Sequence, residues 1–258
     1  MKRKLLAVVI AATMMLTACC SCGNHEDNSG TGPDDGKIEE TEETTTSETT
    51  SETTAATTAS ETTVEEHEGP VQNGSYIIFG HYEQDGNESN GPEPIEWIKL
   101  SEEDGRVLLM SRYILDYQAY NNDYAEVTWE TCSLRKWLNE DFLNAAFNTS
   151  EQEQILTVIN STPDNVTAWG TSYGGNDTED KIFLLSSEEA AALFANDDAR
   201  AVGDCDWWWL RSPGYIQVRA AVVFTIGEIF TKGHVVNFNY HDHGVRPVLW
   251  LDVDSYSK

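Results

Sequence analysis

A single α+β domain is expected over residues 71–258, behind an N-terminal segment with nothing to pack. Three observations predict it. All 26 aromatic residues lie at Tyr76 or later. Strand-like alternation opens and closes that region. Between the two, apolar residues fall at helical spacing, so strands, then helices, then strands follow one another along the chain.

The segments can be taken in chain order. Lys2, Arg3 and Lys4 precede an apolar run from Leu5 to Leu16 with small residues after it. That layout predicts a secretory signal over 1–18, too short for a permanent span. From Cys19 to residue 70 the only large aliphatic residues are Ile38 and Val64, and from residue 20 there are 14 acids against one base. Ser-Glu-Thr-Thr recurs at 47–50, 51–54 and 60–63. Such a tract buries too little to offset the entropy of folding, so 19–70 is expected to be a disordered tether. As a coil it would span on the order of 40 Å.

In the domain, Ser75–Phe79, Ile95–Leu100 and Arg106–Ser111 read as strands, with turns at Asp85-Gly86 and Asp104-Gly105. Leu134, Trp137, Leu138 and Phe142 predict a helix. A second is expected from Ser150, where Ser150-x-x-Glu153 forms a capping box before Ile155, Leu156 and Ile159. Lys181–Leu185 reads as a short strand running into a second box, Ser186-x-x-Glu189, and a helix through Phe194. Beyond Gly203 the pattern returns to strands, the last holding Trp250 and Leu251.

Charge excludes some functions. The chain carries a net charge of −28, and residues 71–258 hold 30 acids against 12 bases. Nucleic acid is excluded as a partner, as is a domain drawn to anionic lipid, since both need clustered Lys and Arg. No apolar run after residue 19 approaches the roughly 20 residues of a membrane helix.

Two resemblances add to this reading. Leu16-Thr17-Ala18-Cys19 resembles the lipobox of bacterial lipoproteins, which implies a lipid on Cys19 and cleavage before it. The chain would then meet the membrane only through that anchor, on the extracellular side of the cell membrane. Two acyl chains give stable anchoring. The second resemblance rests on Phe79-Gly80, Pro94–Trp97, Val127–Glu130 with Ser133–Asn139, Asp180–Ser186, Trp207–Gly214 and Gly244–Leu251. Together these resemble a family of bacterial secreted domains of unassigned function, over about residues 73–253. That family looks related to the C-type lectin-like fold, in the variant shared with formylglycine-generating enzymes and diversified receptors. The resemblance implies short twisted antiparallel sheets with two or three helices.

The chemistry of those relatives is incomplete here. Formylglycine-generating enzymes need a close cysteine pair, whereas Cys205 stands alone near the C-terminal part of this domain. No His-x-x-x-His-x-Glu spacing, nucleophile elbow or phosphate loop occurs. No catalytic residue and no cofactor are therefore expected. His241-Asp242-His243 offers two imidazoles to a metal only if a third ligand joins them. The acidic stretches Asn176–Asp180 and Asn196–Asp206 have the oxygen ligands calcium takes, but read more simply as solvated loops. Cys132 and Cys205 form either a disulfide or two buried thiols, since an exported protein permits both.

Trp207 and Trp209 are expected to share one strand face with Trp208 opposite, as core. Arg211 and Arg246, beside apolar runs, need carboxylates or carbonyls and read as structural clamps. Between these segments lies 215–243, rich in aromatics, Asn and His, the composition of a recognition surface. At least one of Phe224 and Phe238 reads as core; Tyr215, Asn239, Tyr240, His241, Asp242 and His243 are the ligand-binding candidates. The resembling receptors place binding residues in this part of the chain. Of its 29 residues, only Gln217, Glu228 and Lys232 could not arise from Asn-type codons rewritten at adenines. The expected function is a surface-anchored, non-enzymatic binding module for an extracellular protein or glycan, its surface diversified or static. An enzyme on the same fold and a passive envelope component are the alternatives.

Overall fold

Ile77 and Phe79 are buried while Tyr76 and Ile78 are only half-covered, the two-residue period of a strand with one face on the core. The same period runs through Ile95 and Trp97. In the computed structural model, residues 71–73, 76–168, 170–203, 206–238 and 243–253 are described. The expected signal, Cys19 and the tether lie outside them, as do Cys205, Asn239, Tyr240, His241 and Asp242.

In chain order the elements begin with β1 (Val71–Asn73), β2 (Tyr76–Tyr82), β3 (Glu93–Glu103) and β4 (Arg106–Ser111). Next come α1 (Ser133–Trp137), a π-turn (Leu138–Phe142), α2 (Leu143–Ala146) and α3 (Thr149–Gln154). They are followed by β5 (Val158–Asn160), β6 (Asn165–Thr167), β7 (Gly170–Ser172), β8 (Thr178–Asp180), β9 (Ile182–Phe183), α4 (Ser187–Leu193) and α5 (Asp197–Arg200). The last are β10 (Trp207–Pro213), β11 (Arg219–Phe224), β12 (Ile229–Val235), β13 (His243–Gly244) and β14 (Val248–Asp252).

The fold is α+β, with mostly antiparallel sheets and few, short helices. One antiparallel sheet has the order β1-β2-β3-β4-β14-β9. A second runs β12-β11-β10-β13, with only β10 and β13 parallel. Two small ribbons, β5-β8 and β6-β7, lie outside both. The β3–β4 hairpin turns on Asp104 (φ 49°) and Gly105 (φ 75°), the paired positive dihedrals of a tight hairpin turn. Gly80 (φ 72°) sits where β2 shifts register against β3, with Phe147 and the Ala146 carbonyl against its Cα. A Cβ there would meet the Phe147 ring, so glycine lets the sheet close on α2.

Trp97, Trp129, Trp208, Trp209, Tyr120, Phe79 and Phe142 are the largest fully buried side chains. Trp207 and Trp209 share a face, their rings 4.5 Å apart and nearly perpendicular. Trp208 is buried too, with the Arg246 guanidinium 5.1 Å from its ring centroid.

Two helix expectations change. The second helix begins earlier, at an Asn148 cap rather than at Ser150. Asn148 accepts from the Glu151 N–H and Glu151 returns a bond to the Asn148 N–H, both at 2.9 Å. It also ends earlier. Ile155 bridges Leu251, and the Leu156 N–H donates to the Trp250 carbonyl at 2.9 Å. Ile159 lies in β5 and is exposed. Pairing of Ile155 with β14 and of Ile159 with β8 overrides the helical spacing of those isoleucines. The other departure is α5, a short helix capped by Asn196 in what reads as an acidic loop. The Ser186–Glu189 capping box forms as the spacing predicts.

Candidate functional site

The family segments converge on buried polar clamps. Asp180, on β8, accepts from Arg135 Nε at 2.5 Å, Thr178 Oγ1 at 2.6 Å, Asn160 Nδ2 at 3.0 Å and Trp129 Nε1 at 3.1 Å. This joins Val127–Glu130, Ser133–Asn139 and Asp180–Ser186 at one carboxylate. Asn139 holds the same segments together: its amide donates to the Ile182 carbonyl at 2.8 Å and accepts from the Lys181 and Ile182 N–H groups. Arg211 forks onto Glu189 and also donates to the Leu184 and Ser161 carbonyls. Arg246 donates to the Ser111 and Arg112 carbonyls. A buried guanidinium needs such acceptors, and here they fasten the sheets and α4.

Cys132 is a free, buried thiol. It caps α1 by accepting the Arg135 N–H at 3.5 Å and donates to the Trp129 carbonyl at 3.4 Å. The disulfide reading therefore gives way to the thiol one at this residue. Burial pushes its pKa up to about 12, so it is held as the thiol.

Of the acidic stretches, some residues serve structure while Asp177, Glu179, Asp198 and Asp206 are exposed, as solvated loops would have them. Asp180 is fully engaged, Asp197 pairs with Arg200, and Asn176 donates to Glu130. Among the described residues, the carboxylates that gather closely are elsewhere: Glu83, Asp85 and Glu93 each bring an oxygen within 4.8 Å of the others. Loop N–H groups already occupy that cluster, from Gln84 to Glu93 at 2.8 Å and from Asn87 to Asp85 at 2.8 Å. The Asn90 amide, then the Asn87 N–H, hold the Asp85 carboxyl below its ordinary value.

The C-terminal candidates separate. Tyr215 is half-buried, with the Arg219 guanidinium 5.4 Å from its ring. His243 is fully buried, so it is not on the recognition surface. It pairs in register with Trp207 across β10 and β13 and stacks on that ring at 4.6 Å. His234 stacks on Trp207 as well, at 4.5 Å with the planes 4° apart. Phe238 closes the group 6.0 Å from Trp207. The stretch 239–242, which holds the other four candidates, thus leaves and re-enters the described chain at two side chains packed on Trp207. The described part of 215–243 holds two long strands, β11 and β12, and Ala220, Ala221, Val222 and Val223 of β11 are fully buried.

What the spacing did not reveal is a second set of loops joined to Tyr215. The Val127 N–H donates to the Gln217 carbonyl at 3.1 Å, and Ser172 Oγ donates to Gln217 Oε1 at 2.6 Å. Asn165, on β6, donates to the Pro213 and Thr231 carbonyls. In the β6–β7 ribbon, inward Asn165 and Ser172 pair, leaving Val166 and Thr171 as the outward pair. Tyr124, Val166, Tyr173 and Ile216 are exposed on these tied segments at 65, 75, 64 and 41%. The signal was present in sequence as tyrosines among Asn, Gly and Thr, as in Gly170-Thr171-Ser172-Tyr173-Gly174-Gly175.

The clamps and the tied loops define a small α+β scaffold that displays aromatic side chains on short connections. Its family carries no assigned activity: the chain belongs to the family described as a domain of unknown function, DUF6273, whose model matches residues 104–253, more than half of the chain. No curated protein and no solved structure matches it.

Proposed function

We propose that this chain is a non-enzymatic binding module with a C-type lectin-like fold, displayed outside the cell by a lipid on Cys19 and a tether over 20–70. Its ligand is an extracellular protein or glycan. The observation that carries the reading is the exposure of Tyr124, Tyr173, Val166 and Ile216 on loops anchored through Gln217 and Asn165. Large amphipathic rings on a rigid frame provide contact area at small entropic cost. Isolated exposed apolar residues are ordinary; several on adjoining segments mark an interaction surface. Tyr215 borders this surface, and residues 239–242 belong to it in this reading.

If the surface is diversified, variation belongs at 215, 216, 218, 225–227 and 237–242, because β11 is core and Gln217 anchors the loops. Substitutions at Ala220–Val223 would cost stability rather than retune a ligand. Sequences of this segment from independent isolates test that division.

The function is tested by glycan- and protein-array binding of the full chain. Binding is expected, and is lost in Tyr173→Ala or in Tyr240→Ala/His241→Ala with folding retained. Stoichiometric copper or iron in the purified protein would replace this reading with an enzyme on the same fold.

A further inference from the structure

We infer that the face formed by residues 121–130, the described part of 163–177 and 215–217 takes a cationic polypeptide segment that also carries apolar side chains. This rests on the binding-module reading and names the partner class. Asp123, Glu126, Asp164 and Asp177 are exposed on this face, and Glu130 is half-buried. No Lys, Arg or His falls within any of the three stretches. Two bases border the third stretch: Arg219 is folded back, donating to the Gly233 carbonyl at 2.7 Å with Tyr215 beside it, and the exposed Lys232 accepts the Tyr215 N–H at its carbonyl.

Carboxylates interleaved with tyrosines suit a Lys or Arg side chain in two ways. The ring face attracts the cation, and the carboxylate pairs with it. Exposed ion pairs are screened by water and salt, so charge by itself would bind weakly and without selection. Val166 and Ile216 supply apolar contact that a metal ion or free amine could not use. A neutral glycan could stack on the tyrosines and donate hydroxyls to the carboxylates, but would leave their charge unpaired. Anionic lipid and nucleic acid are repelled. A second copy docking face to face would set acid against acid, which costs affinity. The loops are held in place before any partner arrives, by the Gln217 and Asn165 bonds and by the Asp164 carboxylate accepting the Gly174 N–H at 2.9 Å. Less ordering is then needed on binding.

The test uses the full chain and two short labelled peptides, one alternating Lys and Leu and the other Glu and Leu, read by fluorescence anisotropy. The Lys-Leu peptide is expected to bind and the Glu-Leu peptide not. Tyr124→Ala/Tyr173→Ala should weaken binding about tenfold or more, and so should Asp123→Asn/Glu126→Gln/Asp164→Asn. The second variant keeps an acceptor for Gly174 and retains the fold if the first does not. Glu102→Gln/Glu188→Gln/Asp198→Asn, which removes as much charge elsewhere, should stay within about twofold of the parent. Equal weakening by the distant set would reduce the effect to net charge and overturn the inference, as would no effect of either face variant. On the arrays, a neutral or acidic ligand lost in Tyr173→Ala overturns the cationic partner while keeping the binding module. No array ligand sensitive to any face variant would remove the module as well.

Discussion

Asp180, Cys132 and His243 each carry chemistry that composition makes conspicuous, and each is turned to packing. Asp180 accepts four side-chain donors. A carboxylate so placed orders the motif residues around it, whereas a solvated aspartate in an acidic chain would order nothing. For Cys132, burial raises the thiol pKa to about 12, so the reactive thiolate is scarce at neutral pH. Alkylation with iodoacetamide should spare Cys132 in the native protein and modify it in denaturant, read by mass spectrometry of its peptide. Native labelling would contradict its burial. His234 gives a dependence on pH. Burial, then the charge of Arg219, lowers its pKa below the ordinary imidazole value. The unfolded chain therefore binds the proton more readily, so this group's contribution to stability is full above about pH 6.5 and declines as pH falls through and below it. The melting temperature should drop between pH 7 and pH 5, and less steeply in His234→Phe. An unchanged slope in that variant would assign the drop to other groups.

At the level of single helices and strands, local signals succeed where the partners are near in sequence. Ser186 and Glu189 cap α4 from three residues apart, as the box predicts. The same spacing at Ser150 and Glu153 makes no cap, because Asn148 and Glu151 close the box first and β14 draws Ile155 out of the helix. Asn148→Ala should therefore cost about 1 kcal/mol, and Ser150→Ala a few tenths, in urea unfolding. The opposite order would restore the later start. The hairpin at Asp104-Gly105 and the shared face of Trp207 and Trp209 were legible for the same reason. Each depends on a period of two or a turn of two residues.

Across the domain, closure depends on its end. The final strand, β14, inserts between β4 and β9, pairing Leu249 with both Leu109 and Ile182. The central sheet is thus incomplete until nearly the whole domain is available, and such distant pairings slow folding. The N-terminal tract has no aromatic side chain to add to that core. Deleting residues 23–68 should leave the melting temperature of the domain unchanged within error in calorimetry. A loss of several degrees would mean that the tract docks on the domain.

Composition, period and turn chemistry were enough to establish an acidic α+β domain, the strands β2, β3, β4 and β9, the Trp-rich strand, the last strand and the clamp character of Arg211 and Arg246. These properties act over a few residues, or follow from what a guanidinium beside apolar side chains must find. They could not distinguish a buried histidine from an exposed one, and so His243 was placed with the ligand-binding residues. Nor could they assemble the tyrosine face. It depends on Ser172 reaching Gln217 across 45 positions and on Gln217 reaching Val127 across 90. Whether a tyrosine in a loop meets core or solvent is decided by which distant segments the closed sheets bring beside it, and only the tertiary structure makes that choice.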